Sequence, residues 1–208
     1  MTAMLVVEGK NDQHVVWALC EQHNVPETFA VEIAGGDEGG VDTLLTSIPV
    51  RLKMAGLRSL GIVLDADENL QSRWEGVRDR LYRSGYDHIP EIPQRTGTII
   101  EAPERPRVGV WLMPNNELPG MLEDFVGLLI PDNDPLRPKA ESTLAEIENE
   151  NLNLYRPAHR PKALIHTWLA WQETPGQPMG QAITAHALDP DSPIAVGFVQ
   201  WILRLFNE

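Results

Sequence analysis

Two strand endings carry the residues best suited to chemistry. The first hydrophobic run closes in VVEGKND, which places Glu8 where the chain leaves a strand and Gly9 at the turn into a helix beginning near Asp12. A later run, LGIVLDAD, closes in Asp65 and Asp67, one residue apart. Side chains alternate along an extended segment, so both aspartates point the same way if that geometry persists to Asp67. Three carboxylates in one cleft raise one another's pKa unless a divalent cation neutralises them. All-oxygen donors suit Mg²⁺ or Mn²⁺, held by one or two carboxylates with waters and substrate phosphates completing the shell.

The elements that must bring these acids together are legible in the pattern. From Met4 to about Pro114, β-like runs (MLVVEG, FAVEIAG, SLGIVLDAD, RVGVWLMP) alternate with helix-like stretches at Asp12 to His23, Val41 to Ala55 and Leu70 to Ser84. This alternation predicts an α/β domain over residues 1–115 with a mostly parallel, Rossmann-like, four-stranded sheet. Strand C-termini of such a sheet share one edge, where ligands bind, so Glu8, Asp65 and Asp67 are expected to converge there. Beyond Pro114 the strand signal fades. Residues 116–208 read as a helical extension packing on that domain, through LPGMLEDFVGLLI, KAESTLAEIENENL, PKALIHTWLAWQ and SPIAVGFVQWILRLF. The last of these starts with Ser192 placed to N-cap and Pro193 at the first helical position, and it carries one apolar stripe of Ala195, Phe198, Val199, Ile202 and Phe206.

Further candidates surround this set. Glu123 and Asp124 follow the fourth strand by a short loop, and one of them could complete a second metal position; first-turn acids of a helix are the competing reading. Asp12 is a potential further ligand or a helix N-cap. Lys10 is positioned to meet a phosphate, and the glycine-rich AGGDEGG either offers backbone N–H groups to one or merely turns the chain. His166, Trp168 and Trp171 lie on one predicted helix, where core packing is the better explanation than base stacking. His14 and His88 carry no supporting pattern, and Cys20 reads as a small buried hydrophobe.

Composition narrows the function classes. The chain of 208 residues is 42% hydrophobic and 23% charged, the profile of a soluble globular protein. It has no apolar run near the roughly 20 residues that cross a bilayer, and its opening lacks the pattern of a signal peptide, so a cytoplasmic location without membrane contact is expected. One cysteine excludes an internal disulfide and a cysteine-based zinc ribbon. A net charge of −13 is the wrong sign for a broad nucleic-acid-binding surface. It points to a small local contact with nucleic acid, or to a basic partner protein.

VVEGKND followed about fifty residues later by LDAD resembles the Toprim domain, shared by topoisomerases, bacterial primases, overcoming-lysogenization-defect nucleases and small ribosomal-RNA maturases. The resemblance covers roughly the first half of the chain. With LPGMLEDF and KALIHTWLAWQETPGQPMGQAI, the whole chain also looks like stand-alone bacterial Toprim-like proteins of uncharacterised function. The resemblance implies that Glu8 acts as general acid or base, that Asp65 and Asp67 hold Mg²⁺, and that DNA or RNA is cleaved at its phosphodiesters. Strand passage and priming are disfavoured, because Tyr82, Tyr86 and Tyr155 have no recognisable nucleophile setting and a zinc-binding module is missing. Two other readings stand beside this one: a catalytically weak Toprim-like module that binds metal or nucleotide and regulates a protein complex, and a cleft that processes a small phosphorylated molecule. The tryptophan-rich helical half also offers a surface for a homodimer.

Overall fold

In the computed structural model, which describes residues 2–36 and 39–207, five strands form one sheet in the order β2-β1-β3-β5-β4. They are β1 (Thr2–Val7), β2 (Ala30–Ile33), β3 (Leu57–Asp65), β4 (Thr98–Ile100) and β5 (Arg107–Met113). The first three and β5 run parallel, and β4 lies antiparallel on β5. The fold is therefore the mixed α/β, mostly parallel, Rossmann-like arrangement expected, with β4 as an additional edge strand. Three residues are too few to display a period of two, which is why the apolar pattern did not reveal it.

Helices α1 (Lys10–Gln22), α2 (Val41–Arg51) and α3 (Leu70–Arg83) link the parallel strands. After β5 come α4 (Leu122–Gly127), α5 (Arg137–Asn149), a 3₁₀ turn (Pro157–His159), α6 (Arg160–Ala170), α7 (Met179–Thr184) and α8 (Pro193–Phe206). α7 begins in a stretch rich in proline and glycine, from Pro175 to Gly180, which masks its helical signal in the sequence. No helix among the described residues is long and apolar enough to cross a membrane.

Strand alternation sorts the core into two layers. Met4, Val6, Leu60, Ile62, Leu64, Val108, Val110 and Leu112 face α2 and α3. Ala3, Leu5, Val7, Val63, Trp111 and Met113 face the other way, onto α1 and the helices after β5. The helical half thus supplies most of one layer of the sandwich, and its core is continuous with that of the strands.

α8 packs directly on the sheet, because Gly61 and Gly109 leave room for it. A Cβ at Gly109 would stand 2.4 Å from Leu205 Cδ2, and one at Gly61 would stand 3.0 Å from the Phe206 ring. All five residues of the predicted α8 stripe are buried. Phe198 stacks edge-on against Trp111 and Phe125, with ring centroids 5.1 and 5.5 Å away. Ser192 and Pro193 occupy the expected N-cap and first helical positions. The Ser192 hydroxyl, however, makes no capping hydrogen bond and is buried without a partner, so the start of α8 rests on Pro193 and on packing.

Candidate metal centre

β1 and β3 are parallel neighbours, so their C-terminal ends bring Glu8 beside Asp65. The Asp65 backbone N–H donates to Glu8 Oε1 at 2.8 Å, which anchors one oxygen of the half-buried Glu8 carboxylate. Counting by twos along β3 from Val63 places Asp65 on the sheet face covered by α1 and the later helices. There Asp65 Oδ1 accepts the Leu122 N–H, the first of α4, at 2.9 Å.

The loop between β5 and α4 is pinned so that this contact is possible. Asn116 Oδ1 accepts the Leu112 N–H at 2.8 Å, and Asp67 and Gly120 exchange two backbone hydrogen bonds of 2.8 and 2.7 Å. These ties start α4 beside Asp65 and bury Glu123 near the same acids. Asp12 arrives from α1, whose N-cap is Gly9, three residues earlier. It is buried, and its Oδ1 has no hydrogen-bond partner.

Burial and mutual repulsion set the protonation of this group. Burial pushes Asp12 up to about 7, with Glu8 and Glu123 adding to the rise while the N–H groups of Asp12 and Gly9 oppose it. Burial also holds Asp65 well above the usual carboxylate range, helped by Asp12, Glu8, Glu123 and Asp67 in that order. Glu8 is raised by burial, against the Asp65 N–H and the Arg73 guanidinium, which favour its charged form. Glu8, Asp12, Asp65 and Glu123 therefore form one electrostatically coupled set at the C-terminal edge of the sheet.

Asp67 departs from the expected geometry. β3 ends at Asp65, and Asp67 sits at φ 52° in the left-handed region, so strand alternation does not carry through to it. Its backbone bridges Gly120 and its exposed carboxylate pairs with Arg73 of α3. Asp67 lies at the rim, within reach of Asp65 and Glu8 electrostatically, and is not walled in by the arginine. Neither Asp65 nor Asp67 begins the following helix, since Asn69 caps α3 by accepting the Ser72 N–H at 2.9 Å. Asp124 takes the structural role weighed for it: its Oδ2 accepts the Met121 N–H at 2.9 Å at the start of α4. Burial raises its pKa, and the Met121 N–H works against that.

Two cations at the site were missed from the sequence. Arg73 lies six residues beyond Asp67 on a helix that was anticipated, so its place beside the acid was in principle readable. Lys162 Nζ lies 3.2 Å from Glu123 Oε1 and comes from α6, for which no local signal exists. Lys10 opens α1 and is exposed. The glycine-rich segment acts as a close-packed turn: Gly40 N–H donates to Glu8 O at 3.0 Å, and a Cβ at Gly39 would lie 2.2 Å from that oxygen. Its Asp37 and Glu38 lie outside the described residues.

Trp168 is fully buried, as expected of core packing, and its indole N–H donates to Asp134 at 2.9 Å; His166 and Trp171 of the same segment are exposed, contrary to that expectation, because they fall off the buried face of α6, and His14 and His88 are exposed too. Cys20 is half-buried, and burial pushes its thiol up to about 12.

Among the described residues, no group of three or more His, Cys, Asp or Glu side chains is arranged to hold a metal ion. The donor chemistry still fits Mg²⁺, which takes only one or two carboxylates and fills its shell with water and phosphate oxygens. The unpartnered, buried Asp12 Oδ1 is the kind of oxygen such an ion would satisfy. One or two of Glu8, Asp12, Asp65 and Glu123 would hold it, with Asp67 at the rim.

The profile of a family described as "Protein of unknown function (DUF3226)" matches residues 2–207. No curated protein and no solved structure matches the chain.

Proposed function

We propose that this chain, which belongs to the DUF3226 family, is a Toprim-type, Mg²⁺-dependent enzyme that hydrolyses or transfers phosphodiesters of nucleic acid. The observation that carries the reading is the coupled set Glu8, Asp12, Asp65 and Glu123, buried at the sheet edge with one carboxylate oxygen unpartnered. Buried like charges of this kind are costly without a counter-ion, and they recur where function requires them.

Bound Mg²⁺ would polarise the scissile phosphate and stabilise the charge that builds on it. Glu8 is fitted to move a proton. Its Oε1 is fixed by the Asp65 N–H, which leaves Oε2 to accept a proton from water or deliver one to the leaving oxygen, and its raised pKa moves it toward the range useful for both. Asp65 is oriented by the Leu122 N–H on its Oδ1, which leaves Oδ2 as the oxygen that would serve the ion. Arg73, beside Asp67, holds Glu8 toward its ionised form and is placed to receive a phosphate oxygen.

The test is cleavage of single-stranded, duplex and structured substrates by purified protein in Mg²⁺ and in Mn²⁺. Glu8→Ala and Asp65→Ala are expected to lower the rate by about 10²-fold or more. Cleavage that survives both substitutions belongs to a contaminant and removes the enzyme reading.

A second reading is a catalytically weak module that binds metal or nucleotide and regulates a complex. The ion pairs Asp67–Arg73 and Glu123–Lys162 favour it, because they already engage two of the acids. Mg²⁺ binding without cleavage, lost in Asp12→Ala, is its signature.

A further inference from the structure

A cavity of about 290 Å³ opens between α4 and α6, walled by Leu118, Pro119, Leu128, Pro161, Leu164 and Ile165. Glu123 belongs both to this wall and to the coupled carboxylates, so whatever fills the cavity stands one side chain from the proposed centre. Arg137 and Arg160 also line it. They are held in place by Glu141 and Glu148, at 3.2 and 2.9 Å.

The chain beside the cavity reads RPAHRPK from Arg156 to Lys162, a basic segment in a protein of net charge −13. Arg156, His159 and Lys162 are exposed along it. Aliphatic walls of leucine, isoleucine and proline, charged groups at the perimeter and an adjacent basic track, of which Lys162 also meets Glu123, complement a flat apolar-faced heterocycle attached to a phosphate backbone.

Resting on the phosphodiester reading above, we infer that this cavity seats one unpaired nucleobase of a single-stranded nucleic acid. The strand's backbone runs over Arg156–Lys162 and presents the neighbouring phosphodiester to the carboxylates. The volume lies at the lower limit for ligand pockets and is enough for one base. Bases stacked inside a duplex cannot enter unless they are turned out, which costs unstacking energy, so single strands are the preferred substrate class.

Gly127 provides a clean test, because it lines the cavity and a Cβ built there meets no atom within 4 Å. Gly127→Phe therefore starts its side chain in open space, and an unchanged thermal midpoint checks that the ring is accommodated and the chain folds. Binding is read by fluorescence anisotropy in Ca²⁺, with a labelled single strand, its duplex, and an abasic strand of equal length. Wild type should bind the single strand at least tenfold more tightly than the duplex or the abasic strand. Gly127→Phe should abolish that preference with no change in salt dependence. Arg156→Gln should make the slope of log K against log salt shallower by about 0.7, one phosphate contact on a single strand.

Equal binding of all three probes by wild type, or full single-strand affinity in Gly127→Phe, overturns the inference; so does a leucine-rich peptide that binds the cavity when the strand does not. The two proposals separate cleanly. Strand binding that depends on Gly127, without any Glu8-dependent cleavage, upholds the cavity and sinks the enzyme. Glu8-dependent cleavage with binding indifferent to Gly127→Phe does the reverse.

Discussion

Asp12→Asn should make the metal-free protein more stable at neutral and alkaline pH, and the size of the gain follows from the site. The Asp12 carboxyl titrates near 7 in the folded chain against 3.8 in the open. Below pH 3.8 both states hold the proton and there is no cost. Between the two values the folded state keeps a proton that the unfolded state has released, so stability falls as pH rises. Above 7 the full cost is present, at about 1.4 kcal/mol per pH unit, or about 4 kcal/mol in total. Asparagine removes the buried charge but adds an amide N–H₂ that must find Glu8 or Glu123 as acceptor, so a net gain of about 2–4 kcal/mol is expected near pH 8. For a chain of this length that is a rise in Tm of about 4–16 °C. The assay is thermal and urea unfolding across this pH range, with EDTA or with Mg²⁺. In EDTA the advantage of the variant should vanish toward pH 4, and the wild-type slope should exceed one proton because Asp65 and Glu8 are raised as well. If Mg²⁺ binds as proposed, its presence should narrow or invert that order, because the variant lacks one of the proposed ligands. A variant less stable than wild type near pH 8 in EDTA, or a wild type whose stability is flat between pH 4 and 7, would refute the argument that these acids are held together against their own repulsion.

Four other outcomes follow from the same geometry. Gly109→Ala should cost about 1–3 kcal/mol in urea unfolding, because its Cβ meets Leu205 of α8. Phe198→Ala should cost about 3–5 kcal/mol by the same measurement, and in a single transition, since the ring joins Trp111 of the sheet to Phe125 of α4. Arg73→Gln should raise the Glu8 carboxyl titration, read by carbon NMR, because the guanidinium favours the charged form. Cys20 should react slowly with a thiol reagent in the folded state and rapidly in denaturant, its thiol being held near 12 by burial.

Much of the fold was readable because each long strand declares itself by a run of apolar residues, and the parallel arrangement follows from the helices between them. β4 was hidden because three residues cannot display a period, and α7 because the prolines and glycines from Pro175 to Gly180 mask its start. At the site, Glu8 and Asp65 were legible as strand-end acids, whereas Asp67 was misdirected: the rule of alternation was extended two residues past the end of β3, into a left-handed turn. Glu123 and Asp124 looked equivalent in sequence, and only their packing separates a buried member of the coupled set from a helix cap.

Local pattern by itself determined which residues end strands and which faces are apolar, since those properties depend on near neighbours and solvent. What lies beyond it is distance between parts of the chain. The 57-residue span from Glu8 to Asp65 collapses to a single hydrogen bond, α6 brings Lys162 onto Glu123, and burial turns ordinary acids into a coupled group. Those outcomes depend on how the layers stack and how much water they exclude, which only the tertiary structure decides.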